Sequence, residues 1–273
     1  MSVDPKRLDL LESVVGEIVR KIGIEPHRIM VIGAEARDLM HSGQGHDFDL
    51  RGTTDVDLAL VLDDWSAFDR MQSCFPKLGS NGIRFRVSGV AVDVMPFGGV
   101  EDPTGLTTPA SRGEELVVFG FQDVYACARP LELPSGRVRL PSVPGYAALK
   151  LRAWIDRSPW GEDKDARDLA AVMFWYQRDP AVEARVWLPE AEELLLARDT
   201  DIDRYKAYLL GADAGAVLSA ANRRDLADRL IAADPVEPRA LDFGRPSSWT
   251  ADPLRRSVLF DEVIRGVAMS EPV

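Results

Sequence analysis

Three aspartates stand where aspartate is disfavoured. Asp57 lies inside TTDVDLALVL and Asp93 inside GVAVDVMPF, both among β-branched and aliphatic residues that favour a buried strand. A lone carboxylate in such a place is costly unless it is paired, protonated or metal-bound. Asp55 precedes Asp57 by two positions, and the alternation of a strand puts both on one side. If the strand carrying Asp93 is a neighbour, three carboxylates converge near one edge of a sheet. Their repulsion disfavours full ionisation unless a cation sits between them. Hard oxygen donors of this kind suit Mg²⁺, which is typically held by a few carboxylates, phosphate oxygens and water. The competing explanation makes Asp57 and Asp93 strand-end residues satisfied by backbone amides, or by arginines such as Arg84 and Arg86. Other acidic pairs carry no such signal. With 44 Asp and Glu in the chain, Asp47–Asp49 and Asp201–Asp203 arise by chance and read as solvated.

Upstream of these acids is a candidate phosphate site. Gly33 ends the β-rich run RIMVIG, and the residues from Ala34 onward open a helix, so backbone N–H groups can face an anion. Arg37 falls in the first turns of that helix. Thr53 and Thr54 can donate hydroxyls to phosphate or simply shape the turn before Asp55. Arg51 either reaches a phosphate or is a loop charge.

The elements that must position these residues follow from the hydrophobic periodicity. Leu8, Leu11, Val15, Ile18 and Ile22 predict an opening amphipathic helix. RIMVIG is a strand, AEARDLMHS a helix, GQGHDFDLRGTT a polar loop and VDLALVLDD a second buried strand. Asp64 is placed to cap the helix WSAFDRMQSCF. IRFRV and VAVDVMPF follow as strands, the latter broken at Pro96 and Gly98–Gly99. ELVVFGF and VYACARPLEL are weaker strand candidates. From Val143 the patterns turn helical: VPGYAALKLRAWIDR, then DKDARDLAAVMFWYQR with Asp163 as its cap, then PEAEELLLA, DRYKAYLLGADAGAVLSA, RRDLADRLIAA and LRRSVLFDEVIRGV. A proline-containing connector, ADPVEPRALDFGRPSSWTADP, precedes the last helix. The expected fold is α/β (α+β): a mixed sheet of about four to six strands with flanking helices in residues 1–140, then a helical domain in 141–273.

Composition narrows the classes. The chain has 273 residues, 46% hydrophobic and 28% charged, as in ordinary globular proteins. No apolar run approaches the roughly 18–20 residues that span a bilayer, and the charged start does not resemble a signal peptide. A cytoplasmic protein with no membrane partner is expected. Cys74 and Cys127 lie far apart in apolar surroundings and read as buried thiols. The three histidines (His27, His41, His46) leave little for a zinc site or a serine–histidine triad. A net charge of −11 argues against a general nucleic-acid binder. A local basic stripe from Arg223, Arg224, Arg255 and Arg256 is conceivable, with solvated helix faces as the plainer account.

Taken in order, Gly33-Ala34-x-Ala36-Arg37-Asp38, Arg51-x-Thr53-Thr54-Asp55-Val56-Asp57 and Val92-Asp93-Val94-Met95-Pro96-Phe97-Gly98-Gly99 resemble the DNA polymerase β-type nucleotidyltransferase superfamily. Lys150-Leu151-x-Ala153-Trp154-x-Asp156-Arg157, followed by Lys164-Asp165-Ala166-Arg167-Asp168-Leu169, is similar to the AbiEii/AbiGii-type nucleotidyltransferases, many of which act as toxins in toxin–antitoxin or phage-defence systems. The sequence departs from the superfamily at Gly33-Ala34-Glu35, where a serine is usual two positions after the glycine. Phosphate contact would then fall to backbone amides, Arg37 or a threonine.

The resemblance implies a nucleotidyltransferase-type sheet and an NTP-dependent, pyrophosphate-releasing enzyme. It implies Mg²⁺ (or Mn²⁺) as cofactor, held by Asp55, Asp57 and Asp93, with Asp93 also helping to deprotonate the acceptor hydroxyl. Lys150 of the helical domain would contact the triphosphate, with Asp165 or Asp168 orienting it and Lys164 nearby. Gly33, Ala34, Arg37, Thr53 and Thr54 would line the nucleotide site. The acceptor is open between a tRNA end, a protein hydroxyl and a small molecule, and an antitoxin is a possible partner. For Lys150, Lys164 and Asp168 the residues alone equally allow a snorkelling lysine and a surface ion pair. The rival function is a degenerate nucleotide-binding or protein-interaction module of the same fold.

Overall fold

The computed structural model describes residues 5–46, 49–50, 52–162, 164–233 and 252–269. The chain divides into two compact units, 1–142 and 143–273. The first is a mixed α/β unit. Helix α1 (Pro5–Ile22) buries Leu11, Val14, Val15, Ile18 and Ile22. Strand β1 (Ile29–Val31), helix α2 (Gly33–Gly43), strand β2 (Asp55–Leu62) and helix α3 (Ser66–Cys74) follow. The N-cap of α3 is Trp65, which makes no side-chain cap bond; Asp64, expected as the cap, accepts from the Ser66 amide at 2.8 Å one residue earlier. Next come β3 (Arg84–Val87), β4 (Val90–Gly98), the short β5 (Leu106–Thr107) and β6 (Leu116–Val117), helix α4 (Phe121–Ala126), β7 (Arg129–Leu133) and β8 (Gly136–Leu140).

Six strands form one mixed sheet in the order β3-β4-β2-β1-β8-β7, and β5 pairs with β6 apart from it. The central pair, β2 and β4, is parallel and in register from Asp55↔Ala91 to Leu62↔Gly98. Hydrophobic alternation explains its two faces. Val56, Leu58, Leu60, Val92, Val94, Phe85 and Val87 are at most 1% exposed. The Phe85 ring meets Phe68 of α3 edge-on, 6.0 Å between centroids. The opposite face carries Asp55, Asp57, Asp93 and Arg84.

Three local expectations are corrected. Strand β4 runs through Pro96 instead of breaking there. Its last pair with β3 is Arg84↔Asp93, so beyond Asp93 only the β2 side is laddered and the missing proline N–H goes unneeded. VYACARPLEL is part helix, because Gly120, at φ 71°, turns the chain into α4 before β7 begins. Cys74 and Cys127 are free thiols exposed at the surface, not buried ones. Cys74 is the last residue of α3, past Phe68 and Met71, the residues that helix buries, and its Sγ lies 3.8 Å from the Lys21 carbonyl.

The β3–β4 hairpin closes at Ser88 (φ 48°) and Gly89 (φ 80°), backbone values that favour glycine. Helix α1 fastens this turn. Glu17 Oε2 accepts from the Ser88 amide at 2.7 Å and from its hydroxyl at 2.6 Å. Lys21 and Ser88 hold the Glu17 carboxyl down at about 2. A carboxyl lowered on folding stabilises above its unfolded pKa near 4.5, and the contribution disappears as pH falls toward 2. Glu17→Gln should therefore lower the urea midpoint at pH 7, and the gap from the wild type should close as pH drops below about 4. A gap independent of pH would refute the clamp.

The second unit is helical: α5 (Val143–Arg157), α6 (Lys164–Arg178), α7 (Pro180–Val186), α8 (Glu192–Leu196), α9 (Ile202–Val217), α10 (Ala220–Ala232) and α11 (Pro253–Met269). The predicted cap Asp163 and most of the connector before α11 lie outside the described residues. Helices α9 and α11 approach backbone to backbone. A Cβ at Gly211 would strike the Val263 carbonyl, and one at Gly266 the Tyr208 carbonyl. Glu262, 1% exposed, is satisfied by Arg198 and Arg204 at 2.8 Å each and by Arg265 at 3.1 Å. Asp201 caps α9 through the Arg204 amide and pairs with Arg255. Arg256 is 6% exposed, so neither arginine belongs to a free basic stripe. Among the described residues no helix is long and apolar enough to cross a membrane.

Candidate functional site

Register brings the three aspartates together. Asp57 and Asp93 are direct partners across β2 and β4, and Asp55 lies two residues before Asp57 on the same face. Neighbouring strands run about 4.8 Å apart, so the two partner side chains rise side by side. All three are partly exposed, where the apolar positions between them are sealed. The face is thus polar and open by construction.

Each acid has a distinct neighbour. Asp57 stands against Gly33, the first residue of α2. Gly33 has φ 61°, and a Cβ built there would overlap the Asp57 carboxylate. The Ile32 amide donates to the Asp57 carbonyl at 3.0 Å, which pins this approach. The glycine foreseen as a phosphate turn therefore also makes room for the central acid. Gly33→Ala adds a left-handed alanine and an overlap, and should cost about 2–3 kcal/mol in urea unfolding. A loss under about 0.5 kcal/mol would show that the approach is loose.

Asp55 accepts from the Thr53 hydroxyl at 2.6 Å and from Arg84 Nη2 at 2.7 Å. Burial pushes its carboxyl up, but Thr53 and Arg84 outweigh that and hold it below the ordinary range. Arg84, on β3, is the register partner of Asp93, and its Nη1 lies 3.7 Å from Asp93 Oδ2. One guanidinium thus spans two of the three acids, so the arginine weighed as an alternative partner is in place.

The other expected nucleotide contacts fare differently. Ala34 is buried at 5% exposure and Thr54 is exposed. Arg37 is 1% exposed, with Nε and Nη2 each 2.7 Å from Asp38 Oδ1. Asp38 in turn pairs with Arg7 of α1 at 2.8 Å. In this arrangement Arg37 is committed to the packing of α2. Arg51 lies outside the described residues, as does Asp47. A cavity of about 220 Å³ opens at the other end of β2, lined by Arg28, Asp63 and Arg70 among others, and shares none of these acids.

In the helical unit, Lys150 Nζ lies 2.8 Å from Asp165 Oδ1 and 2.7 Å from Asp168 Oδ2. Those carboxylates are 0% and 1% exposed. Arg157 adds a 3.0 Å contact to Asp165, and the Tyr146 hydroxyl donates to Asp168 at 3.4 Å. Burial pulls the Lys150 ammonium down, but Asp168 and Asp165 more than reverse it, and its pKa stands above the ordinary lysine value. Lys164 is surface-exposed and pairs with Glu162 at 2.9 Å, not with Asp168.

Among the described residues no group of three or more His, Cys, Asp or Glu is disposed to hold a metal ion as it stands. The donor chemistry nonetheless suits a hard divalent cation: three carboxylates on one face, in register, with no thiol or imidazole among them. The cation spanning two of them is a side chain, Arg84, that is one-third exposed to solvent. No family model matches this chain, and no curated protein matches it significantly.

Proposed function

We propose that the first unit is the catalytic part of a metal-dependent nucleotidyltransferase of the DNA polymerase β type, transferring NMP from an NTP to an acceptor hydroxyl. One observation carries the reading: Asp55, Asp57 and Asp93 share a face of two parallel strands whose other residues are apolar and mostly buried. Neither folding nor packing asks for three acids there. Mg²⁺ or Mn²⁺ held by them would supply Lewis-acid polarisation of the α-phosphoryl group and balance the carboxylate charge.

The chain's own groups have definable parts. The N-terminus of α2, beginning at Gly33 beside Asp57, offers the positive end of a helix to triphosphate oxygens. Thr53 orients Asp55 through its hydroxyl. Asp93 is the acid placed to accept the proton of the attacking hydroxyl. Buried Arg37 supports α2 and is not assigned to phosphate. The reading carries with it a cytoplasmic location, where NTPs and Mg²⁺ are abundant.

A toxin held by an antitoxin is one form of this function. The helical unit carries Trp160, Trp187, Leu196 and Leu254 at 84%, 67%, 60% and 75% exposure, apolar surface of the kind such a partner would cover. The test is incubation of the full chain with Mg²⁺, α-labelled NTPs and cell lysate. Transfer of label to a macromolecule or small molecule, abolished by EDTA, is expected. Nucleotide binding with no transfer to any acceptor would favour the degenerate module, and no binding at all would end the reading.

A further inference from the structure

Arg84 has no part in the chemistry above, yet it stands against two of the three acids. Its guanidinium reaches Asp55 at 2.7 Å and Asp93 at 3.7 Å. A guanidinium that donates to one carboxylate and lies within ion-pair range of the other relieves their repulsion. The same charge competes for the oxygens that a divalent ion would use. The arginine also has access to solvent. Strand β3 is the outer strand of the sheet, and the Arg84 side chain is 33% exposed. Arg86, two residues on and on the same face, is exposed to solvent.

We infer that Arg84 is the resident counter-cation of the acidic face and that a divalent ion binds by displacing it from Asp55 and Asp93. The exchange replaces one positive charge by two on three carboxylates, so the face carries less net negative charge with the metal bound than with the arginine. The released guanidinium remains anchored on β3 next to the acids, where its two-pronged donor geometry suits phosphate oxygens of the incoming triphosphate. Metal loading and readiness for nucleotide are then one event. This inference rests on the nucleotidyltransferase reading of the same carboxylates.

The experiment measures Mn²⁺ binding to the full chain without nucleotide, by electron paramagnetic resonance of the free ion, together with thermal unfolding in EDTA and in saturating Mn²⁺. Arg84→Gln removes the competitor. It should bind Mn²⁺ about tenfold more tightly than the wild type, as expected for losing a charge-assisted contact. It should also melt lower than the wild type in EDTA, with the difference closing in Mn²⁺. A purely structural ion pair would weaken metal binding in the variant or leave it unchanged, and either result overturns the exchange while the wild type's own Mn²⁺ binding keeps the nucleotidyltransferase reading alive. Absence of binding in wild type and variant alike overturns both. Should Arg84→Gln not fold, Arg84→Lys keeps the charge but not the fork and should tighten binding about threefold; no tightening there also overturns the exchange.

Discussion

Asparagine at position 57 is expected to lower label transfer from an NTP by on the order of 10³-fold, with the fold intact. The size follows from where Asp57 sits. It stands between Gly33 of α2 and Asp93 of β4, and Asp55 lies two residues back on the same face. Asparagine has nearly the same shape, so it fills the space beside Gly33 and keeps the ladder of β2 with β4. What it removes is one negative charge from the set that would balance the divalent ion. It also removes repulsion, so the urea midpoint should stay within what about 0.5 kcal/mol would move. Transfer measured under single-turnover conditions, alongside that midpoint, separates chemistry from folding. An active Asp57→Asn protein would mean that the acids on this face do not carry the reaction.

Lys150→Met should destabilise the helical unit by about 3–5 kcal/mol. The lysine is the only cation in contact with both Asp165 and Asp168 among the contacts described, and those carboxylates are 0% and 1% exposed. Methionine fills similar volume, so the loss is electrostatic rather than a cavity. Arg157 remains for Asp165 and Tyr146 for Asp168, which keeps the cost below that of two bare buried charges. Because the Lys150 pKa is raised on folding, its contribution is present in full below the ordinary lysine value. It fades only as pH climbs through the higher folded value. Urea unfolding of the full chain near neutral pH should therefore show the full loss, and adding Asp168→Asn should recover part of it. A loss under about 1 kcal/mol would mean that water reaches these carboxylates. With Asp165 and Asp168 both engaging its ammonium, Lys150 keeps donor capacity for one further ligand.

Much of the acidic face was legible in advance, because aspartate inside VDLALVL or VAVDVMPF contradicts its neighbours and calls for a reason. The alternation that exposes that contradiction also assigns each acid to a face. Pairing was not legible: nothing local in VAVDVMPF says that β4 lies parallel to β2 with Asp93 level with Asp57. Helix α3 and strand β3 lie between the two strands in the chain, so their pairing is a tertiary contact that no short window of sequence contains. Strand β8, GRVRL, was not legible because, although Val138 and Leu140 alternate with Arg137 and Arg139, two apolar residues are too few to mark a strand. Arg37 misled for a related reason. A basic residue in the first turns of a helix looks available to phosphate, and its burial against Asp38 depends on Arg7 from α1, distant in sequence. The cysteines were misplaced because a helix end can present a small side chain outward even when its sequence neighbours are apolar. Most helices from α5 onward were the clearest elements, since their apolar positions recur at a spacing that strands cannot satisfy; the short α7, PAVEARV, was not foreseen.

The contact between Gly33 and Asp57 has a consequence for how the two positions can drift. As long as an acid occupies 57, no side chain fits at 33. A lineage that shed the acid would lose the overlap and keep only the backbone preference, so alanine, asparagine or serine could then accumulate at 33. The two sites should vary together among natural variants of this chain, with glycine persisting wherever the acid does. A missing side chain would in that case mark retained chemistry more faithfully than the serine two positions later.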